Sequence, residues 1–231
     1  MIVRLRNIAF ALVFWTGSVP IVLFAPVGAL FGHRILRAYV RGWVKYHCWC
    51  ARVLLGISIR VEGNRPAGQV LYVAKHQSMF DAIIAPDLFD APVIVLKREL
   101  ADIPVWGWAA KRYGAIAVDR EASGVALRRM LREAAAARAA GRSVLIFPEG
   151  TRVPLGEQPP LRPGFAGLYR SLNLPLVAIA NDSGRLWPRK GLKLPGVVTF
   201  RYADPVPPGL PRDEAEAAAH AGINVLDVPA V

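Results

Sequence analysis

The apolar positions of this chain change character twice. From Asn7 to Gly32 no charged residue occurs, and Phe10, Phe14, Trp15, Ile21, Leu23, Phe24 and Leu30 make the stretch strongly apolar. It exceeds the roughly 20 residues that a membrane-spanning helix needs. Gly17-Ser18 with Pro20, and then Pro26 with Gly28, interrupt it, which predicts a kink or a helical hairpin that dips into a bilayer and returns. Arg4 and Arg6 precede the segment, and Arg34, Arg37, Arg41 and Lys45 follow it. Positive charge on both flanks fits two ends on the cytoplasmic side, with a single span as the alternative. The run is too long for a usual signal core, so the small residues Val27-Gly28-Ala29 do not read as a cleavage site. From residue 34 to about 56, basic and aromatic residues are mixed, as in a helix lying at headgroup level. An ordinary helix with a solvated basic face fits the same pattern.

Beyond residue 57 short apolar runs alternate with helical stretches. Strands are predicted at Val70–Ala74, Val93–Leu96, Ala115–Val118, Val144–Phe147, Leu176–Ala180 and Val197–Tyr202. Several of these runs are continuously apolar, as strands covered on both faces are. Helices are predicted at Ser78–Leu88, Pro104–Arg112, Ser123–Ala140 and Pro163–Leu172, with a short closing helix from Asp213 to about Ala221. This alternation predicts an α/β fold, a largely parallel central sheet flanked by helices, preceded by an N-terminal membrane-associated helical segment. The expected division is an anchoring segment over residues 1–56 and a catalytic domain over 57–231.

Composition sharpens the picture. The 231 residues are 54% hydrophobic, and 29 Lys and Arg against 17 acids give a formal charge of +12. A basic, apolar chain suits an anionic membrane or nucleic acid. Outside the stretch that directly follows the apolar segment no basic run interleaved with aromatics stands out, and no zinc-finger spacing occurs, so nucleic acid is not expected. Cys48 and Cys50, two apart on a helix, point to different sides and read as small apolar residues in a reducing compartment.

Candidate chemistry sits at the predicted strand ends. In Lys75-His76-Gln77-Ser78-Met79-Phe80-Asp81, Ser78 and Asp81 have the spacing of a helix capping pair. His76 then ends a strand while Asp81 occupies the first helical turn, where its carboxylate can reach one imidazole nitrogen. Such a carboxylate fixes the tautomer and leaves the other nitrogen to take a proton from an alcohol. The segment Phe147-Pro148-Glu149-Gly150-Thr151-Arg152 follows another buried strand, and its proline and glycine predict a tight turn that presents Glu149 and Arg152 at the mouth of a site. An arginine there can clamp a phosphate with two parallel hydrogen bonds. Gly114–Arg120 and Lys97-Arg98-Glu99 also end strands with cations. Three strands delivering cations argue for an anionic substrate.

In this order the blocks resemble the lysophospholipid acyltransferase family, and within it the bacterial 1-acylglycerol-3-phosphate acyltransferases. His76–Asp81 matches the H-x4-D motif, Gly114–Arg120 the second block, Phe147–Arg152 the E-G-T-R motif and Leu174–Ile179 the fourth. The likeness continues through Asn181-Asp182-Ser183-Gly184 and Trp187-Pro188-Arg189, covering roughly residues 57 to 210. Three positions depart from the family pattern: Lys75 where asparagine is common, Ala117 in place of an aromatic, and Ala178 in place of a second proline.

The resemblance implies acyl transfer from acyl-CoA or acyl carrier protein to the free hydroxyl of lysophosphatidate, giving phosphatidate. His76 is the implied general base, oriented by Asp81. Lys97, Arg120 and Arg152 are implied to hold the acceptor's phosphate, and Glu149, Gly150 and Thr151 to shape its site. No metal or other cofactor is implied. The implied place is the cytoplasmic face of the inner membrane, anchored by residues 7–32. Other acceptors stay open: lyso-ornithine lipid, another lysophospholipid or glycerol phosphate. So do a thioesterase, with water as the nucleophile, and a lipid-binding protein without turnover.

Overall fold

The computed structural model describes residues 1–119 and 124–227. Two long helices, α1 (Ile2–Leu30) and α2 (His33–Cys50), open the chain, and a π-helical turn (Ala51–Leu55) leads into β1 (Ile57–Glu62). There follow β2 (Leu71–Ala74), α3 (Met79–Leu88), β3 (Val93–Lys97), α4 (Arg98–Ala101), α5 (Trp106–Tyr113), β4 (Ile116–Val118), α6 (Gly124–Ala139) and β5 (Val144–Ile146). The chain closes with α7 (Gly164–Leu172), β6 (Leu176–Asn181), α8 (Ser183–Leu186), β7 (Gly196–Tyr202) and α9 (Arg212–Asn224). Seven strands form a sheet in the order β1-β7-β6-β2-β5-β3-β4. Among the described residues, β6–β7 is the one antiparallel pair of these strands. The predicted largely parallel sheet flanked by helices is therefore the fold observed.

Alternation along the central strands divides the interior in two. Tyr72, Ala74, Leu145 and Phe147 join a core with Phe10, Phe14, Val44, Leu55, Phe80 and Trp187, beneath α1, α2 and α3. Leu71, Val73, Val144 and Ile146 join the opposite core with Met130, Phe165, Leu168, Ala219 and Ile223, beneath α6, α7 and α9. The same alternation makes neighbouring residues beyond the end of β2 leave toward opposite faces.

The N-terminal prolines do not break the first helix. Pro20 and Pro26 both lie inside α1, which runs unbroken to Leu30, so the expected re-entrant turn within the segment is corrected. The chain returns instead at Gly32, whose φ of +95° suits glycine. Tyr46 and Tyr39 of α2 donate hydrogen bonds to the carbonyls of Val13 and Ile21, bracketing Pro20. A Cβ on Gly17 would stand 2.1 Å from the Tyr46 hydroxyl, so glycine permits the close approach of the two helices. On the outer face Leu5, Ile8, Leu12, Trp15, Val19, Leu23, Phe24, Val27 and Leu30 are exposed, and α1 is long and apolar enough to cross a membrane.

The helical pair is joined to the sheet domain by polar bonds as well as apolar packing. Arg6 donates to the carbonyl of Leu54, and Asn7 exchanges two hydrogen bonds of 2.9 Å with the backbone of Lys193. Buried His47 of α2 lies among Phe10, Phe14, Phe80 and Trp187. Neither of its ring nitrogens has a hydrogen-bond partner among the described residues. Burial, with a smaller contribution from nearby Lys193, pushes this imidazole down from 6.5 to about 3. Between those values the unfolded chain binds a proton that the folded chain refuses, so stability falls as pH drops through that window. His47→Phe should therefore flatten the fall of the unfolding midpoint between about pH 6.5 and 4. An unchanged slope in a thermal unfolding series would show that another group carries the acid sensitivity.

Candidate active site

The register of the sheet assembles the site. β2 pairs with β5 as Leu71↔Val144, Tyr72↔Leu145 and Val73↔Ile146. Carried three residues further, this alignment sets His76 opposite Glu149. On its other side β2 pairs with β6 as Leu71↔Leu176 through Ala74↔Ile179, an alignment that brings Ser78 toward Ser183. The loops after three adjacent parallel strands thus converge at the carboxyl edge of the sheet, where open α/β sheets bind ligands.

His76 is held through both its ring and its backbone. Its Nδ1 lies 2.7 Å from Asp81 Oδ1. The other carboxylate oxygen, Oδ2, accepts the backbone N–H groups of Gln77 and Ser78 and the Ser183 hydroxyl, at 2.8 to 3.0 Å. Ser78 caps α3 by accepting from Phe80 N–H, completing a capping box with Asp81. With Nδ1 committed to a carboxylate, Nδ1 carries the proton and Nε2 presents a lone pair. The imidazole lies tilted against the Phe147 ring at a centroid distance of 4.4 Å, and the side chain keeps 16% of its surface exposed.

The loop after β5 grips the histidine backbone from both sides. Glu149 Oε2 accepts His76 N–H at 2.7 Å, and Val153 N–H donates to the His76 carbonyl at 2.7 Å. Arg152 immediately precedes Val153, is half-buried, and makes no ion pair or side-chain hydrogen bond among the described residues. Gly150 turns the loop with φ of +72°, a conformation that favours glycine. Thr151 is exposed.

Two sequence expectations change here. Glu149 does not stand at the mouth of the site: its side chain is 1% exposed and turns inward to the Lys75 ammonium, 3.0 Å away. Burial raises its carboxyl above the usual carboxylate range, while Lys75 and the His76 N–H oppose that rise. Lys75, which the sequence offers only as a departure from a family pattern, is wholly buried. Lys97 ends β3 half-exposed, 3.9 Å from Glu99. Arg120 lies outside the described residues. Sequence reasoning also missed Ser183, whose hydroxyl donates to Asp81, and Asn181, whose side chain donates to the Lys75 carbonyl. The Asn-Asp-Ser-Gly sequence closing a buried strand was the available signal.

A separate groove of about 1060 Å3 lies away from His76, toward the opposite edge of the strands. Arg34, Arg37, Arg41, Lys45, Arg65 and Arg142 line it.

Comparisons with known proteins concern the family and the fold. A family model described as Acyltransferase matches residues 58–181. A 1-acyl-sn-glycerol-3-phosphate acyltransferase of Pseudomonas aeruginosa is 35% identical over 165 residues, covering 70% of this chain and 64% of that protein. The alpha form from Mus musculus is 28% identical over 220 residues, covering 91% of this chain and 76% of that protein. The crystal structure of the 1-acyl-sn-glycerophosphate (LPA) acyltransferase PlsC from Thermotoga maritima has a TM-score of 0.75 at 24% identity and covers 99% of each chain. That likeness shows a shared fold. The matches span about half to two thirds of the length of the first curated relatives, 64% in P. aeruginosa and 51% in Cocos nucifera.

Proposed function

We propose that this chain, which belongs to the acyltransferase family, esterifies the free hydroxyl of lysophosphatidate with an acyl group from acyl-CoA or acyl carrier protein, forming phosphatidate. One observation carries the reading. An imidazole oriented by a carboxylate at 2.7 Å is gripped at both backbone groups by the loop that bears Arg152.

In the proposed reaction His76 Nε2 takes the hydroxyl proton as the acceptor oxygen attacks the thioester carbonyl carbon. Asp81 stabilises the imidazolium that results. The tetrahedral intermediate collapses with cleavage of the C–S bond, and the departing thiolate receives the proton from His76. Arg152, with Lys97 and Arg120, neutralises the acceptor's phosphate, while Gly150 and Thr151 shape the space around it. Backbone N–H groups at the start of α3 are the proposed donors to the oxyanion. Those of Gln77 and Ser78 are already taken by Asp81 and that of Phe80 by the Ser78 hydroxyl, so the proposed donors are others in that turn. Thioester and alcohol react directly once aligned, and the proposed steps call for no metal or other cofactor.

The proposed setting is the cytoplasmic face of the inner membrane. The exposed apolar face of α1 and the basic groove along α2 support it, since anionic headgroups attract such a surface. Purified protein in detergent, given an acyl-CoA or acyl carrier protein donor, should form phosphatidate with lysophosphatidate and no product with glycerol phosphate or lyso-ornithine lipid. Turnover with either of those compounds instead would move the acceptor assignment. Thiol release with no acceptor at all would replace the reading with a thioesterase.

A further inference from the structure

Lys75 and His76 leave the end of β2 toward opposite faces. The histidine faces the core beneath α3; the lysine faces the core that α9 closes. There its ammonium meets Asp227 Oδ2 and Asn224 Oδ1 at 2.6 Å, the Glu157 carbonyl at 2.7 Å and Glu149 Oε1 at 3.0 Å. All three charged side chains in this cluster are at most 1% exposed.

The cluster is wired to both neighbours of the catalytic imidazole. Glu149 spans Lys75 and the His76 N–H. Asp227 spans Lys75 and Gln77, accepting Gln77 Nε2 at 2.8 Å. Gln77 in turn accepts Gly184 N–H at 3.0 Å, and Asp227 also accepts Gly156 N–H at 3.2 Å. The platform behind it is firm. Ala215, Ala219 and Ile223 of α9 are buried in the core that β6 shares, and a Cβ on Gly222 would come within 2.5 Å of Ala178 Cβ. Glycine is what lets α9 approach β6 closely enough to deliver Asn224 and Asp227.

We propose that Lys75, Asn224 and Asp227 are positioning residues for the reaction: the segment at the end of α9 sets, through Lys75 and Glu149, where the His76 backbone stands. The proposal rests on His76 being the general base. A buried ammonium loses its hydration and is tolerated only where acceptors surround it, so removing one partner strands the rest. Two carboxylates face one ammonium in this cluster. Loss of Lys75 leaves both without a counter-charge, whereas Asp227→Asn leaves one carboxylate against one ammonium. The expected order of damage is therefore Lys75→Met, then Asp227→Ala, then Asp227→Asn. The register of His76 against acceptor and thioester is what suffers, and small misplacements of reacting groups cost up to about a hundredfold.

Steady-state kinetics at a temperature well below each variant's unfolding midpoint test this. Lys75→Met and Asp227→Ala should each lower kcat at least about tenfold, with KM for acceptor and thioester within about twofold of wild type. The double variant should be no worse than Lys75→Met, because both act through one cluster. A purely structural role would lower the unfolding midpoint and leave the kcat of the folded protein unchanged, which overturns the proposal. Should Lys75→Met not fold, Asp227→Asn decides: a drop in kcat of about threefold or more supports the proposal, and wild-type kcat sinks it. His76→Ala assayed alongside separates the two levels of inference. If it is dead while the Asp227 variants are unimpaired, only the positioning role fails; if it turns over normally, the base assignment fails as well.

Discussion

Replacing His76 with alanine is expected to lower turnover by at least about a hundredfold, the usual effect of removing a general base. The geometry makes the experiment clean. Asp81 keeps three of its partners in the variant, the N–H groups of Gln77 and Ser78 and the hydroxyl of Ser183. The buried carboxylate is therefore not stranded, and the α3 cap survives. The main-chain bonds from His76 to Glu149 and Val153 do not involve the imidazole. The variant should fold, bind both substrates with near-normal KM and fail in the chemical step. Turnover within a few-fold of wild type, with circular dichroism unchanged, would remove His76 from the mechanism.

Arg152→Ala should cost about ten- to a hundredfold in kcat/KM for the acceptor, the range expected for losing a charge-assisted hydrogen bond to a phosphate. The loss should fall on acceptor use, with the thioester KM close to wild type. Because the Arg152 side chain has no ion pair or hydrogen bond among the described residues, the substitution should leave stability nearly unchanged. Arg152→Lys keeps the charge without the planar fork and should lie between the two. Equal acceptor parameters in wild type and Arg152→Ala would assign the phosphate to other cations.

Much of the fold was legible because most of its central strands are continuously apolar, and six of the seven strands were placed from their short apolar runs. β1 was missed although Ile57–Glu62 alternates apolar and polar residues as a strand does; it lies at the sheet edge with Ile59 and Val61 exposed, and its run is not continuously apolar. The prolines of α1 misled in another way. Local propensity treats them as breaks, whereas the hydroxyls of Tyr39 and Tyr46 support α1 from α2 on either side of Pro20. At the site, the pairing of His76 with Asp81 and the Ser78 cap follow from spacing within one turn of chain. Lys75 does not: a lysine reads as solvated, and its partners Asn224 and Asp227 lie about 150 residues away in sequence. Glu149 was read outward for the same reason, since the cation that draws it inward was itself invisible as a buried group.

The first helix is mounted on the sheet domain without slack. Arg6 and Asn7 are bonded to Leu54 and Lys193, and Phe10 and Phe14 enter the core that Phe80 and Trp187 complete. A tethered enzyme can float over its bilayer and sample many heights; in the proposed membrane setting, one built this way carries its histidine at a depth set by the length and tilt of α1. Bilayer thickness then becomes a variable of catalysis. A leaflet a few Å thicker or thinner shifts where glycerol backbones lie relative to Nε2, and the helix can answer only by tilting the whole molecule.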